Sequence, residues 1–589
     1  MKFVVRSFAI LGFAVFAVSV TGWVIVLTHE KQHLPETIIL SLDLTSNIPE
    51  AAEHNPIKAA LGKSGALILK DAIAAIDYAK KDPRVKVLVG NFRENPVSMA
   101  GAQELRDAVY RFRERGKPSY AYATSFGEFG AADKAYYLAS SFNEIWLQPL
   151  GLVGITGLAA QSPFVKEALE KIGAKADFVH REEYKSAMDM LTENDFTAAN
   201  AEMLGSILDD LNAQMVDDIA ADRQLQPVNL MRLIDVAPIN AQTALDEKLI
   251  THIGYEDELQ LRLDKLFGDK AEVVSAEDYL SMRRDELQND DNDKKPVVAF
   301  IEATGEIVQS SEGPTKSGGI AADETVKAIH EAMDDEKVEA ILLRIDSPGG
   351  SAVASETIRR GIEQAQNIGL PVIVSMGEMA GSGGYWMAAQ ADVIVADPAT
   401  LTGSIGVIAG KVTGTDVLWD KLGIHWGIIT RGENADMWTA TAPFTDAQRA
   451  KVDALVDETY QQFKKHVAAA RDLTDEEVAA VAKGRVWTGN QALNNGLVDE
   501  LGGLVDAVNY TKSLLGIPED DRIMLKQFPA PEGFAERLEK ILEGFGGLGA
   551  SMTKLNGLMQ SFEAVVSPLQ SVSSIKPGQA IMHNVDGLR

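Results

Sequence analysis

Ala340-Ile341-Leu342-Leu343-Arg344-Ile345-Asp346-Ser347-Pro348-Gly349-Gly350 is an apolar run closed by turn-forming residues, the pattern of a buried strand that ends in a tight turn. A second strand opens at Pro371-Val372-Ile373-Val374. The spacing predicts that it breaks into a glycine-rich turn, Gly377-Glu378-Met379-Ala380-Gly381-Ser382-Gly383-Gly384, ahead of a helix at Tyr385-Trp386-Met387. A serine among three glycines leaves the backbone around its hydroxyl bare, so a substrate carbonyl can approach both the hydroxyl and nearby N–H groups. Ser382 is therefore the candidate nucleophile. Acyl transfer also needs donors aimed at the developing oxyanion. Gly350 or Gly349 would supply one and Gly383 the other. Ser404, in the third turn Gly403-Ser404-Ile405-Gly406, could orient a base.

The strand pattern extends outward in both directions. From Glu36 onward, short apolar runs alternate with helical spacing, as in Thr37–Leu42, a helix around Gly65–Lys80, and Val85–Val89. Such alternation predicts an α/β fold. The order then repeats. Arg84-Val85-Lys86-Val87-Leu88 parallels Lys337-Val338-Glu339-Ala340-Ile341, an offset of 253, and Ala135-Tyr136-Tyr137 parallels Gly384-Tyr385-Trp386, an offset of 249. Gly154-Ile155-Thr156 parallels Gly403-Ser404-Ile405, and Ala244 and Leu249 parallel Ala492 and Leu497. A tandem duplication with a short insertion before Asp133 accounts for the drift.

Duplication lets corresponding positions be compared within one chain. Where the second copy has Ser382 the first has Asp133, and Asn95-Pro96-Val97 replaces its glycine turn. The first copy carries Tyr184-Lys185-Ser186-Ala187, and the second has Ala435 where Lys185 stands. Each half lacks what the other keeps. Lys185 becomes a candidate general base, because an amine whose pKa is lowered by burial can accept a proton.

Composition sets the outer limits. The chain has 589 residues with 46% apolar content, enough for roughly three or four domains of common size. A formal net charge of −29 argues against nucleic acid as a partner, since phosphate contacts need clustered Lys and Arg. The absence of cysteine rules out disulfides, thiolate metal sites and a cysteine nucleophile.

At the N-terminus, Lys2 and Arg6 precede an uncharged run from Ser7 to Thr28. As a helix this run would span about 33 Å, enough for a bilayer core of about 30 Å. Ala17-Val18-Ser19 resembles a signal-peptidase site, yet the apolar run exceeds the roughly 7–15 residues of a signal peptide core. The expectation is an uncleaved anchor with a cytoplasmic N-terminus and the rest of the chain on the opposite face.

The expected boundaries are 1–30 for the N-terminus and anchor, 36–282 for the first repeat and 283–295 for a polar linker. They continue with 296–520 for the second repeat and 521–589 for a helical tail. Asn289-Asp290-Asp291-Asn292-Asp293 in the linker lacks the glycine and final glutamate of a calcium loop, so no metal is expected. Gly544-Phe545-Gly546-Gly547-Leu548-Gly549 in the tail follows a helix where a nucleotide fingerprint needs a strand, so no cofactor is expected either.

These residues resemble the long, duplicated signal peptide peptidase A (protease IV) family of membrane-anchored Ser/Lys proteases. The resemblance runs from about Glu36 to Gly516. It is carried by Ser347-Pro348-Gly349-Gly350-Ser351, Met379–Trp386, Tyr184–Ala187, Gly403–Gly406 and Gly484-Arg485-Val486-Trp487-Thr488-Gly489. It implies a ClpP/crotonase-like fold in each half, Ser382 as nucleophile, Lys185 as general base, Ser404 orienting the lysine, and Gly350 and Gly383 as the oxyanion hole. It also implies a homotetrameric bowl on the outer face of the bacterial inner membrane that degrades remnant signal peptides and other apolar peptides.

Three rival readings remain at this level. A His-based triad would draw on His180, His330 or His425, but none lies in a glycine-bounded turn, and Ala380 interrupts the G-x-S-x-G elbow. A catalytically silent, membrane-tethered scaffold would keep the fold without the chemistry. A crotonase-like acyl-CoA enzyme would need a basic phosphate site, and no basic cluster is present.

Overall fold

The computed structural model describes residues 33–51, 67–93, 96–128, 130–268, 270–288, 295–310, 319–519 and 521–530. The apolar N-terminal run, Asn95, the Asn289–Asp293 run and the Gly544–Gly549 motif lie outside the described residues. Among those described, no helix is long and apolar enough to cross a membrane.

Two sheets, parallel but for the antiparallel pair Leu401–Gly403 and Val486–Thr488 in the second, carry the chain. The first runs in the order His252–Ile253, Glu144–Leu147, Ser119–Ala123, Val85–Phe92, Ile38–Leu44, Glu272–Ser275. The second repeats that order with Glu500–Leu501, Val393–Ala396, Val372–Gly381, Val338–Ser347, Val297–Thr304, Met524–Phe528. Its strands are Val- and Ile-rich and buried on both faces, the composition parallel sheets require because crossover helices cover them. The offset repeats seen in the sequence are thus the same topology built twice. Even a buried detail recurs, for the Tyr136 hydroxyl donates to the Leu249 carbonyl at 2.6 Å and the Tyr385 hydroxyl to the Leu497 carbonyl at 2.9 Å.

Three expectations need correction. The tail expected to be helical from 521 opens instead with the strand Met524–Phe528, which pairs with Val297–Thr304 and completes the second sheet. The strand opening at Val372 does not break at Gly377 but continues through Gly381. It first pairs with Val338–Ser347 and Val393–Ala396, then slips register and pairs Met379–Gly381 with Leu401–Gly403. Paired on both flanks, its backbone stays extended in spite of the glycines. The polar linker also starts later than Arg283, because the helix Ala276–Gln288 continues through that position. Glu286 is held there by Arg84 at 2.9 Å, and Arg284 reaches Asp71 at 2.6 Å.

The two halves are joined in two ways. The strand Ala174–Arg181 of the first pairs antiparallel with Val407–Gly414 of the second over eight residue pairs, from Ala174↔Gly414 to Arg181↔Val407. The buried Arg344 of the second sheet donates to Glu50 at 2.7 Å and to Glu104, both from the first half, and also to Ser375 at 2.8 Å and the Met376 carbonyl at 3.0 Å. A buried guanidinium is tolerated only with its donors satisfied, so this cluster fixes how the halves meet. Arg344→Ala leaves two carboxylates facing each other without a cation and is expected to destabilise the chain by about 3–5 kcal/mol. Chemical denaturation of the variant checks this, and an unchanged unfolding midpoint would contradict it.

Candidate active site

Ser382 closes the long strand and begins the turn into the helix Gly383–Ala388. Its φ of 51° and ψ of −113° lie where non-glycine residues rarely sit, a strain of about 1–3 kcal/mol that surrounding contacts must hold. Those contacts are present, since the Ser382 N–H donates to the Gly403 carbonyl at 2.9 Å and its carbonyl accepts from the Trp386 N–H at 2.8 Å. The side chain is thereby lifted clear of the sheet end.

The Pro348-Gly349-Gly350 turn lies against it. Ile307 pins the turn, with its N–H donating to the Gly349 carbonyl at 2.8 Å and its carbonyl accepting from the Ser351 N–H at 2.9 Å. Gly349 has φ +104°, and a Cβ there would fall 2.8 Å from both the Gly383 nitrogen and Ser382 Cβ. Only glycine allows this approach. Gly383 opens its helix, so its N–H has no intrahelical acceptor. Gly350 and Gly383 line the same narrow cleft as Ser382, with apolar walls from Ala352, Trp386, Val407, Ile408 and Phe463.

Lys185 arrives from the other half. It follows the Ala174–Arg181 strand, which lays the chain along Val407–Gly414 and delivers the next residues beside Ser404. Its Nζ lies 3.1 Å from Ser382 Oγ, 3.0 Å from the Ser404 carbonyl and 3.4 Å from Ser404 Oγ. The structure therefore brings together Ser382, Lys185, Ser404, Gly350 and Gly383. Lys185 is 1% exposed, and burial drives its pKa well below the ordinary lysine value. Two hydroxyls and a carbonyl solvate the amine, and no carboxylate among the described residues pairs with it. A neutral amine beside a hydroxyl is a base positioned to take that proton.

The other candidates sit elsewhere. His180 is exposed, with Nδ1 3.0 Å from the Glu182 carbonyl, and His330 Nε2 contacts Gln364 Oε1 at 3.0 Å. His425 is exposed. At the position of Ser382, Asp133 of the first half is buried and accepts from the Gly157 N–H at 2.8 Å, and burial raises its pKa to about 6.

Sequence reasoning missed the seat of the lysine. Gly484, at φ +81°, packs so closely under Lys185 that a Cβ would fall 2.6 Å from the Lys185 nitrogen and 2.7 Å from its Cβ. Next to it, the Arg485 guanidinium lies 4.9 Å from the Tyr184 ring and 4.5 Å from the Trp487 ring, and reaches Glu202 at 2.5 and 2.9 Å. The Tyr184 N–H donates to the Lys483 carbonyl at 3.2 Å. The Gly484–Gly489 stretch stood out by its letters, but its role as a socket depends on a contact between residues about 300 positions apart.

Residues 111–269 and 364–517, one stretch in each half, match "Peptidase family S49". The chain is 33% identical over 468 residues to "Protease 4" of Haemophilus influenzae, covering 77% of this chain and 74% of that one. It is 30% identical over 490 residues to "Serine protease SPPA, chloroplastic" of Arabidopsis thaliana, covering 82% of this chain and 70% of that one. A ClpP1 mutant from Listeria monocytogenes superposes with a TM-score of 0.24 and 16% identity over 36% of this chain and 94% of that one, a likeness too slight to carry an argument.

Burying the Lys185 amine has a measurable cost. In the unfolded chain lysine keeps its ordinary pKa near 10.5, whereas in the folded chain the value is lower. Between the two the folded state binds fewer protons, so stability rises with pH. The penalty is fully present below the folded value and fades as pH approaches 10.5. Lys185→Met is expected to raise the melting temperature by a few degrees at neutral pH and by less at pH 10, as differential scanning calorimetry would read. A loss of stability at neutral pH would contradict the burial of an unpaired amine.

Proposed function

The chain belongs to peptidase family S49 and is a serine protease, and from that premise we propose that it is a membrane-anchored endopeptidase working through a Ser382/Lys185 dyad. The observation that carries this is the 3.1 Å contact between Ser382 Oγ and a buried Lys185 Nζ that has no counter-ion among the described residues. In the proposed reaction, neutral Lys185 takes the Ser382 proton as Oγ bonds to the peptide carbonyl carbon. The carbonyl oxygen becomes an oxyanion held by the Gly350 and Gly383 N–H groups. Collapse breaks the C–N bond, and the Lys185 ammonium returns its proton to the leaving amine. Water then attacks the ester, again giving its proton to Lys185, and the acid leaves as Ser382 is restored. Ser404 orients the amine through its hydroxyl and carbonyl.

The substrates proposed are apolar peptides, remnant signal peptides among them. The apolar cleft walls support this, because they offer a side chain burial and no charge to pair with. Attachment through Ser7–Thr28 would hold the catalytic part at the periplasmic face of the inner membrane, where such peptides are released. Each half is proposed to be a ClpP/crotonase-like repeat, the first (36–282) supplying the lysine and the second (296–520) the serine, and the protein is proposed to work as a homotetramer.

Ser382→Ala and Lys185→Ala are expected to lower kcat on apolar peptide substrates by about 10³-fold or more while leaving the fold intact. Gly484→Ala, which displaces the lysine without removing it, should cost about 10²-fold. Digestion of a peptide library by the full chain and each variant checks all three. Wild-type turnover in either Ala variant of the dyad would remove it, and a full chain that binds such peptides without cleaving them would favour the scaffold.

A further inference from the structure

The two strands that deliver the Pro348-Gly349-Gly350 turn and Ser382 do not keep step with each other. Val338–Ser347 and Val372–Gly381 pair regularly from Ile341↔Val372 to Ile345↔Met376, and the next pair is Ser347↔Ala380. Gly377-Glu378-Met379 therefore stand opposite Asp346 alone, an excess of two residues on the strand that leads to the serine. Kept in register, Ser347 would face Glu378. Ser382 would then lie two residues further past the glycine turn, about 6.6 Å at the usual rise of a strand. The slip draws it back, so that Ser382 Cβ and the Gly383 nitrogen each stand 2.8 Å from where a Gly349 Cβ would be.

Residues inserted into a ladder lose their partners across it, and their backbone groups must be satisfied in another way. Here side chains do so. Asp346 Oδ1 accepts from the Met379 N–H at 3.0 Å. The Thr400 hydroxyl donates to the Gly377 carbonyl at 2.7 Å, and the Thr402 hydroxyl to the Ala380 carbonyl at 2.7 Å. Both threonines are fully buried. A Cβ on Gly377 would fall 3.0 Å from Asp346 Cβ, so the acid lies directly against the bulged backbone. Asp346 is held in turn from its other side, where its carbonyl accepts from the Gly305 N–H at 2.8 Å.

The duplication provides a contrast within the same chain. In the first half, Val85–Phe92 and Ser119–Ala123 stay in register from Leu88↔Ser119 to Phe92↔Ala123, where the second of them stops. Carried back through the repeat, Asp346 corresponds to Arg93, Thr400 to Gly151 and Thr402 to Val153. Arg93 is exposed, and neither glycine nor valine has a hydroxyl. The half without the serine thus has neither the slip nor any of the three side chains that hold it.

We infer that Asp346 is a positioning residue for acyl transfer, holding with Thr400 and Thr402 the strand slip that sets Ser382 against the oxyanion glycines. It acts through the backbone of the nucleophile strand and touches no substrate. The inference rests on Ser382 being the nucleophile, as proposed above. What the Met379 N–H needs from Asp346 is an acceptor oxygen. Partial burial, with Glu50 and Glu378 nearby, pushes the carboxyl up to about 7, so at neutral pH much of it is already uncharged. Asparagine keeps the oxygen, and alanine removes it.

The full chain and its Asp346→Ala, Asp346→Asn and Thr400→Val variants are compared by steady-state kinetics on an apolar peptide ester. The rate at which a serine-directed acylating probe labels Ser382 is read alongside by mass spectrometry. Asp346→Ala is expected to lower kcat and the labelling rate about 10²-fold, the scale of a displacement of about 1 Å at the reacting atom, with KM little changed. Asp346→Asn should stay close to wild type in both. Wild-type kcat in Asp346→Ala, a loss confined to KM, or an Asn variant as slow as the Ala variant would overturn the inference. Thr400→Val leaves the Asp346 contact in place and decides the matter if Asp346→Ala does not fold. Its kcat should fall about tenfold for the one hydrogen bond removed, and a wild-type value would equally overturn the inference. A wild type that takes no label at Ser382 would remove the nucleophile itself, and with it both the dyad and the role of Asp346, whereas equal labelling of wild type and Asp346→Ala would sink the role of Asp346 alone.

Discussion

An amine shut away from water with no acid beside it is the constraint that the rest of this structure serves. Taking a lone ammonium out of water is prohibitive, so the group gives up its proton instead. The environment of Lys185 favours that outcome, offering the amine neutral oxygens. Its position requires the strand Ala174–Arg181 to lie along Val407–Gly414, a missing side chain at Gly484, and the Tyr184–Arg485–Glu202 stack to hold the segment down. Strain at Ser382 belongs to the same account, since its backbone is held where the hydroxyl faces the amine and not the sheet.

Duplication explains why the centre lies between the halves. With the same topology built twice, each half brings a helix-initiating turn, and the first half sends the arm Ala174–Arg181 across to the second. The chain keeps the serine on one turn and the lysine just after that arm, leaving Asp133 and Ala435 in the vacated places. On the proposed dyad neither half would act alone, and the ionic cluster of Arg344 with Glu50 and Glu104 that fixes their contact would be a condition of activity as much as of stability. The acid at position 133 is buried and accepts a backbone N–H, so the vacated site has become packing.

Much of this was legible in the sequence because it is local or periodic. The alternation of apolar runs with helical spacing fixes an α/β chain, and the nearly constant offset between Tyr136 and Tyr385 or Leu249 and Leu497 exposes the repeat. Ser382 stands out because glycines crowd it, and Lys185 through the comparison of the two copies. What escaped depends on contacts distant in sequence. Gly377–Gly381 has the composition of a turn yet stays extended because strands pair with it on both sides, and Arg283–Gln288 looks like linker until Arg84 and Asp71 hold it in a helix. Gly484 gives no local sign that it lies beneath Lys185. Nor does Arg344, in the middle of an apolar strand, announce that two glutamates from the other half await it.

The claim at the centre is that Ser382 is activated by a neutral Lys185, and the pH dependence of its acylation tests this most directly. A serine-directed acylating probe, followed by mass spectrometry of the peptide that contains Ser382, gives the labelling rate from acid to alkaline pH. The rate should rise with a single ionisation well below the ordinary lysine value near 10.5, and that rise should vanish in Lys185→Met. Labelling that proceeds equally fast in the variant, or that climbs only as pH nears 10.5, would contradict it.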